Sequence, residues 1–521
     1  MSSGFYPINA NNGKQDEILY QHERLKANIA FHKQMRQQKI TAGDTTTSPY
    51  PSLEEIEKTH ILFTNINFRP FAKICFDYLK VPKTGVSFNS QINFEIPHYG
   101  DFFSDMVLNV VIDSNTASFS TGTPADASDV AIWRYCDRPG EKLISNFTFS
   151  VASSNLDTYD SIVYSLTRQT ALDPAKKAGW DKCMGQSTDM EAYYGYPTTT
   201  GTVPQPQVMK FALNGGYQTY QPTQPALNLF IPLLFWFNEP RQAIPGLAIP
   251  FGQRVITATI ASQSAICRAI INPGARSTIS NPFVPALNIS TCDLYIQNMF
   301  VSDEIQEIYS NRVGFNLVRV HLSQNITLNT PTGQQILNSM KWPITQLTVV
   351  FQPTVNTIPN SNVSTRGSQV SVIDPSMEDY NKFGLVSTNS VAAGTVNGTS
   401  STAPYVTKSV SDHMVNIGIS AFGNDIYKAM PSAFFNCYTP FKYGADTVTP
   451  SDPGIFFIPF CLFPNSYQPS GHLNTSKLRE FYLNYTSSYI TSSNTVSCYV
   501  SAVAINFLMV TKGSAGLRFV T

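Results

Sequence analysis

Three groups of chemically capable side chains stand out along the chain. His98, Asp101 and Asp105 offer nitrogen and oxygen donors at a spacing that a metal ion could use. Asp303, Glu304 and Glu307 are carboxylates of the kind that act in pairs on glycosidic bonds. Ser470 and His472 flank Gly471 and set a hydroxyl beside a base. Each group also has a plainer reading. Asp and His commonly cap or solvate the turn between two strands. Acids gather where a helix begins, because the macrodipole is positive there. A serine nucleophile needs a base oriented by a third group, and nothing around His472 supplies one. The chain has no P-loop, no GxGxxG after a strand pattern, no HExxH and no GxSxG. The expectation is a non-enzyme with no catalytic residue, no metal ligand and no cofactor.

Composition points the same way. Lys plus Arg and Asp plus Glu number 35 each, so the net charge is zero, which argues against a general basic surface for nucleic acid. Charged residues are 13% of the 521, about half the usual ~25%, while aromatics reach 12%. A free monomer normally covers itself with Lys and Glu. A chain that does not either buries its outside against other subunits or carries a surface of Ser, Thr, Asn and Gln. The eight cysteines contain no CxxC pair, and Cys75, Cys461 and Cys498 sit in apolar runs as small hydrophobes do. This reads as a reducing compartment without a disulfide framework. The first 17 residues lack the apolar core of a signal peptide, and the longest apolar run, 227–237, is too short for a membrane span.

The elements that would position these residues are mostly strands. Residues 14–40 are the exception: no Pro, no Gly, six basic and three acidic side chains, and Ile18, Leu25 and Ile29 at helical spacing. They predict a mildly basic amphipathic helix, followed by a linker over 41–52 and a capping box from Ser52 to Glu55. From His60 the period becomes two. Phe88, Ile92, Phe94 and Ile96 share one face, and strands follow at 105–112, 142–151, 226–237 and 294–301. Asp157 to Thr170 reads as helical. A short helix after Ser302 marks a boundary, and strands resume at 314–322, 344–351, 415–420 and 496–510. Residues 455–463 form an apolar string whose turn at 464–471 predicts a hairpin running on to Tyr485. Two polar stretches, 184–224 and 353–412, read as long loops. The pattern is all-β: two sandwiches in tandem, eight or so strands each, with long insertions and short helices. Periodicity alone does not separate a jelly roll from an immunoglobulin-like sandwich.

Several segments carry a more specific signal. DPGIFFIPFCLFP with QPSGHLN (452–474), AINFLMVTKGSAGLRF (504–519) and LLFWFNEPRQAIPGLAIPFGQRVIT (233–257) resemble the major capsid proteins of nucleocytoplasmic large DNA viruses. LYIQNMFVSDEI (294–305), RVGFNLVRVH (312–321) and KWPI (341–344) are similar to the branch containing African swine fever virus and its amoeba-virus relatives. The resemblance covers most of 60–521, but not the loops 184–224 and 353–412. It implies a double jelly roll divided as an arm and linker (1–59), a first jelly roll (60–301), a linking helix (302–312) and a second jelly roll (313–521). It further implies homotrimers of pseudo-hexagonal outline that tile an icosahedral shell, in a virion assembled in the host cytoplasm. Implied partners are other copies of the chain, minor capsid and penton proteins, and an inner membrane or its proteins beneath the arm, with no direct nucleic-acid contact. The rival reading from residues alone is a non-viral β-sandwich lectin or adhesin.

Overall fold

The computed structural model describes residues 14–45, 47–52, 74–117, 130–187, 192–195, 207–210, 216–249, 252–272, 285–301, 306–309, 314–358, 363–366, 369–372, 375–391, 395–396, 399–400, 405–443, 447–464, 466–478, 480–511 and 514–519. The chain divides between Lys73 and Ile74 into two compact units. In the first, Lys14–Thr41 is one helix of 28 residues, as its composition predicts. Leu25 and Ile29 are half-buried on it, whereas Phe31 and Met35 are exposed. The capping box at Ser52–Glu55 lies partly outside the described residues.

The second unit is built on sixteen strands in four sheets. Eight come from the first half: β1 (Ile74–Lys83), β2 (Gln91–Glu95), β3 (Phe102–Ile112), β4 (Ile144–Val151), β5 (Ser154–Asp160), β6 (Leu227–Pro232), β7 (Arg254–Ile260) and β8 (Ile289–Val301). Eight come from the second: β9 (Gly314–Leu328), β10 (Thr332–Ile336), β11 (Pro343–Pro353), β12 (Met414–Ala421), β13 (Asn424–Pro431), β14 (Ile455–Pro459), β15 (Phe481–Ser487) and β16 (Val496–Thr511). The first set pairs as β1-β8-β3-β6 and β2-β7-β4-β5. The second repeats that order, as β9-β16-β11-β14 and β10-β15-β12-β13. Within each roll successive strands alternate between facing sheets except for one hairpin, β4–β5 in the first and β12–β13 in the second, which is the jelly-roll path, and the fold is a double jelly roll.

Local sequence explains the sheets. Strand β2 alternates exposed and buried residues, with Ile92 and Phe94 turned inward. Strand β14 is buried at every position. Phe456 and Ile458 enter the main core, and Ile455 packs with Leu166, Val350, Phe383 and Tyr499. The helical segment 434–443 lies against the strand, where Asn436 and Thr439 donate to the carbonyls of Ile455 and Phe457. A strand covered on both faces must be apolar throughout, which is why 455–459 lacks alternation. Insertions leave both rolls at one pole. The first, 161–226, joins β5 to β6; the second, 354–413, joins β11 to β12. At the opposite pole β1 begins, β8 ends with Val301 paired to Ile74, and β9 begins with Gly314 paired to Val510.

Four expectations need correction. Residues 455–485 are not a hairpin: β14 pairs with β11, whereas β15 pairs with β10 and β12 in the facing sheet. The Pro-rich turn carries the chain from one sheet to the other, and only Leu473–Asn474 rejoins β11. Asp157 to Thr170 is not one helix. Residues 154–160 pair with β4 across a tight turn in which Ala152 and Ser153 have positive φ, and the helix starts at Ile162. Cys75 is exposed rather than packed, although all eight thiols are free. The insertions are not structureless: ladders join 192–195 to 207–210, 363–366 to 369–372, and 385–391 to 405–411. Thr, Val, Ser and Tyr dominate those stretches and suit a pleated backbone. Of the helix placed after Ser302, residues 306–309 are described and are helical.

Candidate functional site at the seam between the rolls

Where the two rolls meet, polar side chains are buried and almost fully paired. Asp157 on β5 is 4% exposed and faces β9. It accepts the backbone N–H of His321 at 2.9 Å and lies 3.1 Å from His321 Nδ1. Burial opposes charge on this imidazole, but the attraction and hydrogen bond of Asp157 outweigh it, so its pKa is raised. Beside it, Asp160 accepts from Ser323 at 3.2 Å and from Tyr499 Oη at 3.1 Å, both from the second roll. Tyr159 packs against the His321 ring with centroids 5.3 Å apart.

A second clasp sits toward the pole of the insertions. Arg134 pairs with Glu378 at 2.9 Å, Lys142 donates to the Ser376 carbonyl at 3.0 Å, and Tyr380 donates to the Asp137 carbonyl at 2.6 Å. Below this clasp Glu141, 1% exposed, accepts from Ser165, Arg168 and Trp180 at 2.8–2.9 Å. Both oxygens of that carboxylate meet donors, which is the condition for burying a charge. A single buried pair adds little net stability, yet breaking one strands a charge. Such contacts therefore fix the angle between the two rolls more than they strengthen either.

Among the described residues, neither the His98, Asp101 and Asp105 group nor the Ser470 and His472 pair assembles into a reactive centre. Asp101 accepts from Val301 N at 2.8 Å and Gln306 at 3.0 Å, whereas Asp105 accepts from Tyr78 Oη at 3.0 Å. His98 faces Arg254, and burial together with that cation lowers its pKa. Ser470 Oγ accepts the Phe463 N–H at 2.7 Å and so pins a turn, with His472 exposed. Asp303 and Glu304 lie outside the described residues. Among the described residues no three His, Cys, Asp or Glu side chains gather as a metal site, and no helix is long and apolar enough to cross a membrane.

Sequence reasoning missed the seam. Its one visible sign is His321, a histidine inside an otherwise alternating strand, and nothing nearby in sequence marks Asp157 as its partner. It also missed the unpartnered apolar surface. Phe76 (63% exposed) and Tyr78 lie on β1, the edge of its sheet, and Phe441 (80%), Leu462 (61%) and Phe463 stand out on the second roll.

Comparison with known proteins agrees with this geometry. Residues 71–302 match the family model for the major capsid protein N-terminus, and residues 313–516 match the large eukaryotic DNA virus major capsid protein. The chain is 29% identical, over an alignment of 663 positions covering all of both proteins, to the hexon protein p72 of African swine fever virus (isolate Tick/Malawi/Lil 20-1/1983). It is 21% identical to the major capsid protein of Phaeocystis pouchetii virus, covering 88% of this chain and 95% of that one. Among solved structures, the Faustovirus major capsid protein superposes with a TM-score of 0.72 at 26% identity, over 96% of this chain and 100% of the other. PBCV-1 Vp54 shares the fold at a TM-score of 0.58 and 16% identity, over 88% of this chain and 100% of the other. The relatives are structural capsid proteins, and nothing in these matches supports a lectin or adhesin.

Proposed function

Since the chain belongs to the major capsid protein family of large eukaryotic DNA viruses, we infer that it tiles an icosahedral shell as a homotrimer of six-cornered outline. The observation that carries this reading is the repeated strand order. Two rolls of identical topology, clamped together by the Asp157–His321 seam, give each chain two similar corners, so three chains give six. The natural division is an arm and linker over 1–59, rolls over 60–301 and 313–521, and a connection over 302–312. The exposed aromatic side chains on β1 and around Phe441 and Leu462 supply apolar contact surface for other copies. A permanent contact of this kind buries on the order of 2,000–5,000 Å² per pair.

The role is mechanical and non-catalytic, without metal or cofactor. Each contact is modest, because closure of the shell multiplies it over many copies. The helix Lys14–Thr41, basic and only weakly apolar, belongs to the arm that lies toward minor capsid proteins and an inner membrane or its associated viral proteins, and penton proteins are further partners of the shell. Assembly takes place in the host cytoplasm. Light scattering on the purified protein tests the central claim. A mass three times the 57.6 kDa chain is expected, and a single-chain mass at high concentration overturns it.

A further inference from the structure

One buried cation in the first roll has no counter-charge. Arg254, the first residue of β7, is 2% exposed. Its Nη2 donates to the Ile96 carbonyl at a long 3.4 Å, and its Nε has no partner. The guanidinium lies 5.3 Å from the centre of the Phe103 ring, a contact that offsets only part of the lost hydration. No carboxylate among the described residues acts on it, and burial alone pulls its pKa down to about 10, so it remains a cation at neutral pH. Other buried charges among the described residues meet an opposite charge, as Glu141 does Arg168, Arg134 Glu378 and Asp157 His321, or are hydrogen-bonded, as Asp452 is by three backbone N–H groups. A guanidinium offers five donors in a fixed fork, and leaving them unfilled in the interior is costly.

The unpaired group lines a cavity of about 330 Å³, together with His98, Gln253, Glu95 and Val81. Glu95 is occupied on the rim, where it accepts from Gln253 Nε2 at 2.7 Å. Gly246 makes room behind: a Cβ there would stand 2.9 Å from Arg254 Nη1. At about 30 Å³ per water, the cavity holds a small anion with part of its hydration. The equivalent corner of the second roll, between the end of β10 and the start of β15, also opens into a cavity, of about 570 Å³, lined by Lys341 and Arg518. Both corners lie at the pole where β1 begins and the chain crosses to β9.

We propose that Arg254, assisted by His98, forms a binding site for a single oxyanion, a carboxylate or a phosphate, at this corner of the first roll. The planar fork matches either group with two parallel hydrogen bonds. The proposal stands independently of the capsid reading.

The test is thermal melting and calorimetric titration of the full-length protein with sodium phosphate and, separately, sodium acetate, at constant ionic strength. A saturable rise in Tm is expected, with affinity lowered at least roughly tenfold in Arg254→Gln, the scale of a lost charge-assisted pair. Should Arg254→Gln fail to fold, His98→Asn, at an exposed position, keeps the test open, with a loss of about a few-fold expected. Saturation by both salts assigns a general oxyanion site; saturation by one alone assigns that group. No saturable shift with either salt, or equal shifts in wild type and the variants that fold, overturns the proposal.

Discussion

Asp157 meets both the main chain and the side chain of one residue: Oδ1 accepts the His321 N–H at 2.9 Å, and Oδ2 lies 3.1 Å from the same residue's Nδ1. Strand β5 of one roll is thereby fixed to strand β9 of the other at a single register. Asp157→Asn should cost about 3 kcal/mol in chemical denaturation, the lower end for breaking a buried pair, because the imidazole can shed its proton.

The same pair sets a pH dependence. A histidine with a raised folded pKa adds stability that is complete below its free value of about 6.5 and disappears as the pH climbs through the raised value. Melting temperatures measured from pH 6 to 9 should fall more steeply in wild type than in His321→Gln. Parallel profiles would remove this role from His321.

His413 acts with the opposite sign. It is 2% exposed, neither ring nitrogen has a partner, and burial pushes its pKa down to about 4. The unfolded chain binds its proton near pH 6.5 and the folded chain does not, so stability is lost as the pH falls from about 6.5 to 4, by up to roughly 3 kcal/mol. His413→Phe should flatten the acid limb of the profile, and an unchanged limb would refute the assignment.

Gly471 has φ +139°, in the region open to glycine, and a Cβ there would meet Cys461 Cα at 3.5 Å. Space is adequate, so the cost of Gly471→Val is backbone strain, about 1–3 kcal/mol in a denaturant melt. An unchanged midpoint would count against a strained turn.

Removal of residues 1–40 should leave soluble trimers while preventing ordered shells, because it deletes most of the helix Lys14–Thr41 and leaves all sixteen barrel strands. Electron microscopy of assembled particles decides it, and normal shells from the truncated chain would refute it.

Part of the barrel was legible because alternation in β2, and around Val318 and Val320 in β9, records one wet face and one dry face. Strand pairing was not. Residues 455–459 and 481–487 are neighbours along the chain and read as partners, yet β14 and β15 fall in opposite sheets, as consecutive strands of each roll do except β4–β5 and β12–β13, a choice made by core packing. The family resemblance supplied the double jelly roll that periodicity left open. The seam escaped for a related reason: Asp157 and His321 are separated by 164 positions, and no local pattern links residues that far apart. Arg254 was hidden by its charge, since an arginine opening a strand reads as solvated.

Both long insertions leave the rolls at one pole, and the crossover and final strand lie at the other. The second unit thus has a head that carries the insertions and a foot that carries the crossover. A foreign peptide spliced into 385–411 would be displayed on the head, whereas a tag appended after residue 519 would emerge at the foot. The ladders between them would be left untouched by either graft.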